Sequence, residues 1–509
     1  MSERAPTDQS AVIDFLADPA SHDGAPVERL ETHISHVFLA GDKAYKLKKA
    51  VKLDFLDFST VEKRRKACER ELELNRRLSP ELYLAVEPII RKGAGFTIGG
   101  KGEAVDWVVV MRRFGQDDLF DQMARDGRLT PELIARLADR VVELHEKIEK
   151  RPDFGGADVM TTAIDQAFEA MEHAKGFGLG REAEETLRAK LLAEIRKQAE
   201  LLEERRAGGK VRYCHGDMHL ANICLYDGEP TLFDAIEFDD AIACIDVLYD
   251  IAFPIMDLVS FGKPALANQL MNRYLESSGD YSGVALMQLF LSARAAIRAM
   301  ALGMAADGPK SAKAKRARAY FELGQAFLKP ATPRLFAVAG LSGTGKSVLA
   351  RGLAPHMGPP PGAIVLRSDG IRKRLFGKRQ EERLPQDAYR PEISAKVYKM
   401  LHDQAETCLK QGATVIADAT FLRAPDRDAI EQVAKNAGIG FSGIWLEAPV
   451  ETLAERVDTR AADASDATSA VVKRQTAEDT GPISWRRVRS DRPPEQVLAD
   501  VLGSIKRPN

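Results

Sequence analysis

The sequence predicts a multidomain chain with halves of unlike architecture: mixed α+β to about residue 330, alternating α/β from 331 to 509. Three observations carry that expectation. "VFLAGDKAYKL" alternates apolar and polar residues about a Gly-Asp pair, the pattern of two strands joined by a tight turn. "RLFAVAG–LSGTGKS–VLARGLA" reads as strand, Gly-rich loop and helix. The apolar runs "AIVLRSD", "ATVIADAT" and "FSGIWLEA" then alternate with helical stretches, which means a parallel sheet. Between the halves, prolines punctuate "FLKPATP" and mark a linker.

In order along the chain, residues 30–58 read as strand, turn and strand. "STVEKRRKACERELELNRRL" (59–78) opens on a Ser/Thr cap with Glu62 three residues after Ser59, and stops before Pro80, so it is expected to be a helix. "VDWVVVMRRF" is a buried strand, and 131–206 follow helical periodicity to "RRAGGK". "VRYCHGDMHLANICLYDGEPTLFDAIEF" holds two short strands about an Asp-Gly turn, and helices continue to about 328. "LFLSARAAIRAMALGMAA" is apolar enough to consider for a membrane, but Arg294 and Arg298 interrupt it, so a buried helix is expected.

Composition is that of a globular protein, 45% hydrophobic and 29% charged. Lys+Arg 73 against Asp+Glu 75 gives no bias toward nucleic acid or membrane, although the balance is slightly positive after 331 and negative before it. The five cysteines, Cys68, Cys214, Cys224, Cys244 and Cys408, form no CxxC pair, and "MSERAPTDQS" has no apolar core of a signal peptide; both fit a reduced, cytoplasmic setting.

Phosphoryl transfer from a nucleotide needs a carboxylate for the acceptor's proton, oxygens to hold Mg²⁺ on the phosphates, and a cation on the phosphates. "HGDMHLAN" supplies His215, Asp217 and, five residues on, Asn222; "TLFDAIEF" supplies Asp234 one hairpin later. With "HGDMHLANI", "LFDAIEF" and "YDIAF", the first half resembles the aminoglycoside phosphotransferase family, the choline-kinase-like branch of the protein-kinase fold. The resemblance covers most of 30–330. It implies a bilobal fold over 1–330 (N-lobe about 25–115, C-lobe about 116–328), with Asp217 as catalytic base and Asn222 and Asp234 as Mg²⁺ ligands. "FDAIEF" departs from the family's Ile-Asp-Phe: spacing from Asn222 favours Asp234 as ligand, and spacing to "YDIAF" favours Glu237. The phosphate-gripping lysine belongs in an Ala-x-Lys pattern, which Ala44 and Lys46 supply; Lys48 shares their strand face and is the rival. Its partner on the following helix is Glu71, with Glu69 and Glu73 close by. Asp250 of "YDIAF" reads as a brace for the loop.

"GLSGTGKS" fits G-x-x-x-x-G-K-[ST] between a strand and a helix. Gly340, Ser342, Gly343, Thr344 and Gly345 turn backbone N–H groups toward phosphate oxygens, Lys346 reaches the β/γ-phosphates, and Ser347 ligates Mg²⁺. Asp369, with Arg372 one helical turn on, forms a base-plus-clamp for a hydroxyl acceptor, and Asp418 ends the next strand as a contact to metal water or acceptor. Arg456 and Arg460, four apart, lie on one face of a lid helix. "SDGIR", "IADAT" and "ERVDTRAADASDAT" resemble the P-loop kinases related to polynucleotide 5′-kinases and zeta-toxin-like kinases, a P-loop NTPase sheet over 331–509 in which Asp369 is the general base. Trp485 reads as packing.

The combined expectation is a bifunctional phosphotransferase using Mg-ATP or Mg-GTP, one site for a small molecule and the other for a nucleotide, sugar nucleotide or RNA end. Two other readings fit the same motifs: a small-molecule sensor controlling a P-loop switch, and an RNA-repair 5′-kinase with an accessory domain. The modest charge asymmetry disfavours nucleic acid.

Overall fold

The computed structural model describes residues 8–53, 56–173, 180–459 and 468–505. The chain divides into two compact units, Met1–Met160 with Leu202–Asp257, and Thr161–Leu201 with Leu258–Asn509. The second unit therefore takes in helices that precede the Pro-rich 327–333 segment.

The first unit is built on a six-stranded antiparallel sheet in the order Val27–Glu31, Ser35–Ala40, Lys43–Lys48, Ala104–Arg112, Tyr83–Lys92, Gly95–Ile98. Residues 30–58 hold more strands than the pair expected. The Thr32 hydroxyl accepts from Ser35 N at 3.0 Å and closes a separate turn after Glu31. The hairpin Tyr83–Lys92 with Gly95–Ile98 escapes sequence periodicity because its longer strand is mostly half-buried and carries Pro88.

The helix Val61–Arg76 packs across this sheet. Thr60 caps it, its hydroxyl accepting from Lys63 N at 3.3 Å; such a cap contributes about 1 kcal/mol. Its inward face reads Arg64, Cys68, Glu71 and Asn75, all fully buried, a stripe at i, i+4, i+7 and i+11. Arg64 makes a two-point pair with Asp106 of the strand Ala104–Arg112, at 2.8 and 2.9 Å. That pair fixes the helix rotation and so aims Glu71, two turns on, at the sheet. After the sheet come helices including Pro131–Lys147, then the ribbon Ile223–Tyr226 with Glu229–Leu232 turning at Asp227–Gly228, and the helix Val247–Ser260.

The second unit contains a five-stranded parallel sheet in the order Ile364–Arg367, Val415–Asp418, Arg334–Gly340, Gly440–Glu447, Arg486–Arg489. Phe336, Val338, Leu349, Leu353, Val365, Ile416 and Leu446 form its core against the flanking helices. The edge strand Arg486–Arg489 buries Val488 and exposes Arg486, Arg487 and Arg489. Trp485 is buried against Phe421 and Phe441, its Nε1 donating to Glu431 at 2.7 Å. Tyr281–Met304 is long and apolar enough to cross a membrane by length and composition, yet most of its apolar stretch is buried in the protein. All five cysteines are free and buried.

Candidate active sites

In the first unit, strand alternation puts Lys46 and Lys48 on one face, and both reach Glu71. Lys46 Nζ lies 2.8 Å from Glu71 Oε1, and Lys48 Nζ 2.7 Å from Glu71 Oε2. Glu69 and Glu73 stay exposed and pair with Arg65 and Arg70 instead. Each lysine also holds a carboxylate from "FDAIEF": Lys46 pairs with Asp234, and Lys48 with Glu237 Oε1 at 2.5 Å. The two rivals for the lysine and the two for the metal ligand thus form a single ladder of two cations and three anions. Its ends differ. Lys48 and Glu237 have side chains 0% and 3% exposed, whereas the Asp234 side chain is 38% exposed. Burial works against the charge on Glu71, but Lys46 and then Lys48 hold its carboxyl well below the usual range. Burial raises Glu237 despite Lys48.

Asp234 stands at φ 62°, in the left-handed region that a non-glycine residue seldom adopts. Neighbours hold it there: Asp234 N donates to the Tyr83 hydroxyl at 2.9 Å, and Ala235 N to Asn75 Oδ1 at 2.9 Å. Tyr83 and Asn75 carry no motif, so sequence reasoning missed them.

On the loop, Asn222 Nδ2 donates to the Asp217 carbonyl at 2.9 Å and to Asp217 Oδ2 at 3.3 Å. This leaves the amide oxygen of Asn222 facing away from those bonds. His219 Nε2 is 3.4 Å from Asp217 Oδ2. The fully buried Asp250 carboxylate accepts from His215 N at 3.1 Å and Gly216 N at 3.0 Å, and from His145 Nε2 at 3.2 Å. His215 is buried and its basicity lowered by that burial; its Nε2 donates to the Phe233 carbonyl at 2.9 Å, tying the loop to the ribbon.

In the second unit, the strand Arg334–Gly340 delivers the P-loop and the helix Lys346–Leu353 follows it. Gly343 is required here: at φ 86° a Cβ would lie 2.7 Å from the Leu453 carbonyl oxygen. Ser342 N donates to Gln475 Oε1 at 2.8 Å, a partner no motif signals. Thr344 Oγ1 and Lys346 Nζ both donate to the Leu341 carbonyl, at 2.8 and 3.0 Å. Gly340 and Gly345 also take positive φ. Ser347 Oγ donates to Asp418 Oδ2 at 2.5 Å, so the loop's hydroxyl and the neighbouring strand's terminal carboxylate meet.

Asp369 lies in the first turn of the helix Ser368–Leu375. Burial pushes its carboxyl above the usual range and Asp418 adds to this, while Arg367, Lys346 and Arg372 oppose it. Arg372 Nη1 donates to the Ala388 carbonyl at 2.6 Å, and its guanidinium stacks on Tyr389, so it secures the segment 386–394. Arg456 Nη2 donates to the Ser490 carbonyl at 2.9 Å. Arg460 lies outside the described residues.

A model of the phosphotransferase enzyme family (APH) matches residues 45–287, and an AAA-domain model matches residues 335–482. The chain is 30% identical over 470 residues to an uncharacterized protein of Mycobacterium tuberculosis (strain ATCC 25618 / H37Rv), covering 89% of this chain and 90% of that one. It is 33% identical over 122 residues to the adenylyl-sulfate kinase of Myxococcus xanthus, 23% of this chain and 60% of that one. Among solved structures, a choline/ethanolamine kinase family protein from Mesorhizobium loti is similar at 14% identity over 63% of this chain and 94% of that one, with a TM-score of 0.40.

Fold, motifs and family matches define the class: a chain with two kinase-like domains, a phosphotransferase-family domain followed by a P-loop, ATP-binding kinase domain. Within that class, it belongs to the family of the uncharacterized M. tuberculosis protein, which it matches across nearly its whole length.

Proposed function

We propose that the protein is a bifunctional ATP-dependent phosphotransferase, each domain moving a γ-phosphoryl group to a hydroxyl acceptor. One observation carries this reading: each unit independently gathers a lysine, a carboxylate paired with a second oxygen-bearing side chain, and a further aspartate. In the first unit the gripping lysine is Lys46, because it sits at the open end of the ladder beside Asp234, while Lys48 and Glu237 brace the buried end. Asp217 takes the acceptor's proton. In the second unit Lys346 grips the phosphates and Asp369, its affinity for a proton raised, orients the acceptor hydroxyl.

The donor sets suit Mg²⁺, which prefers hard oxygens. Asn222 and Asp234 would hold it in the first unit, with Glu237 committed to Lys48; Ser347 and Asp418 would hold it in the second. When bound, it neutralises phosphate charge. For the second site, the likeness to an adenylyl-sulfate kinase supports a small-molecule or nucleotide acceptor over an RNA end of the polynucleotide-kinase type.

The test uses γ-labelled ATP and a metabolite extract with the full chain, its Asp217→Ala and Lys346→Ala variants, and the double variant. Two labelled products are expected, each lost in one single variant and both lost in the double. Labelling untouched by either substitution would overturn the reading.

A further inference from the structure

The helix Pro264–Ser278 lies more than fifty residues before the P-loop in sequence, and the phosphotransferase-family match to residue 287 includes it. By packing it belongs to the unit that holds the P-loop. Its residues Asn268, Asn272 and Glu276 recur every four positions, so they form one polar stripe. The stripe runs along the segment that carries the acceptor-side aspartate. Asn268 Nδ2 donates to the Ala363 carbonyl at 3.0 Å, and Asn272 Nδ2 to the same oxygen at 3.1 Å. Asn272 Oδ1 accepts from Val365 N at 2.7 Å. These bonds occupy the free side of the edge strand Ile364–Arg367.

Glu276 continues the stripe at the next helix. Its backbone carbonyl accepts from Arg374 Nη1 at 3.0 Å, near the end of Ser368–Leu375. Its buried carboxylate lies 3.9 Å from Arg367 Nη1 at the start of that helix. Arg367 Nε is in turn 3.6 Å from Asp418 Oδ2, which accepts from Ser347. The other carboxylate oxygen, Oε1, is buried without a hydrogen-bond partner. It lies so close to Gly370 that a Cβ there would stand 1.7 Å away, so a side chain on the residue after Asp369 would displace the Glu276 carboxylate from this position. A buried carboxylate wedged against the turn that presents Asp369 is costly unless it holds a cation.

We infer that the helix Pro264–Ser278 is a working part of the P-loop site, and that Glu276 is a positioning residue. It fixes Arg367 beside Asp418 and seats the helix bearing Asp369. The inference rests on reading this unit as a phosphotransferase. The P-loop domain is then incomplete as a stretch beginning at 331: its acceptor side is assembled with a helix drawn from the preceding family match.

The test is made in the full chain carrying Asp217→Ala, so that hydrolysis of Mg-ATP reports the second site. Glu276→Gln keeps size and removes charge. It is expected to lower kcat about tenfold or more, the range for losing a partner that orients a site residue. The KM for ATP is expected within twofold and the thermal midpoint near the parent. Asn272→Ala, which loosens the strand without touching the carboxylate, is expected to speed hydrogen exchange of 364–376 at least tenfold. A Glu276→Gln protein with kcat within twofold of the parent overturns the inference. So does a loss of kcat matched by an equal loss of folded protein. Lys346→Ala in the same background separates the two readings: if hydrolysis survives it, the P-loop assignment itself fails, and this inference with it.

Discussion

The ladder in the first unit makes a prediction that separates support from ligand binding. Lys48→Met replaces a fully buried ammonium with an isosteric apolar chain. Lys48 holds Glu71 Oε2 at 2.7 Å and Glu237 Oε1 at 2.5 Å, so its loss leaves Lys46 alone among three carboxylates. Removing one partner of a buried pair costs about 3–5 kcal/mol. The cost is not doubled, because Glu71 keeps Lys46, and Glu237, already raised by burial, takes up a proton. Against a total stability of about 5–15 kcal/mol, this is a large share. Lys46→Met strands chiefly Asp234, whose side chain is 38% exposed and hydrated, so about 1–3 kcal/mol is expected. Both variants are compared in a Lys346→Ala background by urea unfolding, followed through hydrogen exchange of Val61–Arg76, and by nucleotide titration. With a slope of about 3 kcal/mol/M, Lys48→Met moves the midpoint down by about 1–2 M. Lys46→Met abolishes nucleotide binding with a smaller shift. Equal midpoints for the two variants, with Lys48→Met losing nucleotide, would refute the assignment of Lys48 to the brace.

Two further outcomes follow from the P-loop unit. On the proposed role of Asp369 as a base, and with its affinity for a proton raised by burial, Lys346-dependent turnover should fall with decreasing pH at values above the usual carboxylate range; Arg367→Gln, removing an opposing cation, should move that limb to still higher pH in a pH–rate profile. Gly343→Ala forces a side chain into the left-handed region and against the Leu453 carbonyl, so it should cost about 1–3 kcal/mol and erase the rise in thermal midpoint that ATP gives to a Lys46→Met protein, whose first site no longer binds nucleotide.

What was legible in the sequence is what the chain keeps local. The P-loop needs only contiguous residues, and Asp217 and Asn222 share one loop. The helix carrying Glu71 was legible, but Glu69 and Glu73 stood close by in sequence; the structure separates them, turning Glu71 inward with Arg64 and Cys68. Choices set by distant partners were not legible. Lys46 and Lys48 lie on one face, and only the fold tells the open end from the closed. Arg372 has the spacing of an acceptor clamp beside Asp369, and its guanidinium grips the Ala388 carbonyl, since the segment 386–394 folds over it. Tyr83, Asn75, Gln475 and Glu276 belong to no motif, and each matters through a residue far away in sequence.

The two borders of the parallel sheet are guarded by different means. Asn272 covers one. The other, Arg486–Arg489, exposes three arginine side chains, of which Arg487 pairs with Glu447 at 2.8 Å and Arg489 with Asp491 at 2.5 Å. A strand from another molecule that tried to add there would have to bury or displace those cations. At this border charged side chains, rather than a covering helix, disfavour the edge-to-edge pairing that an open ladder of backbone groups invites.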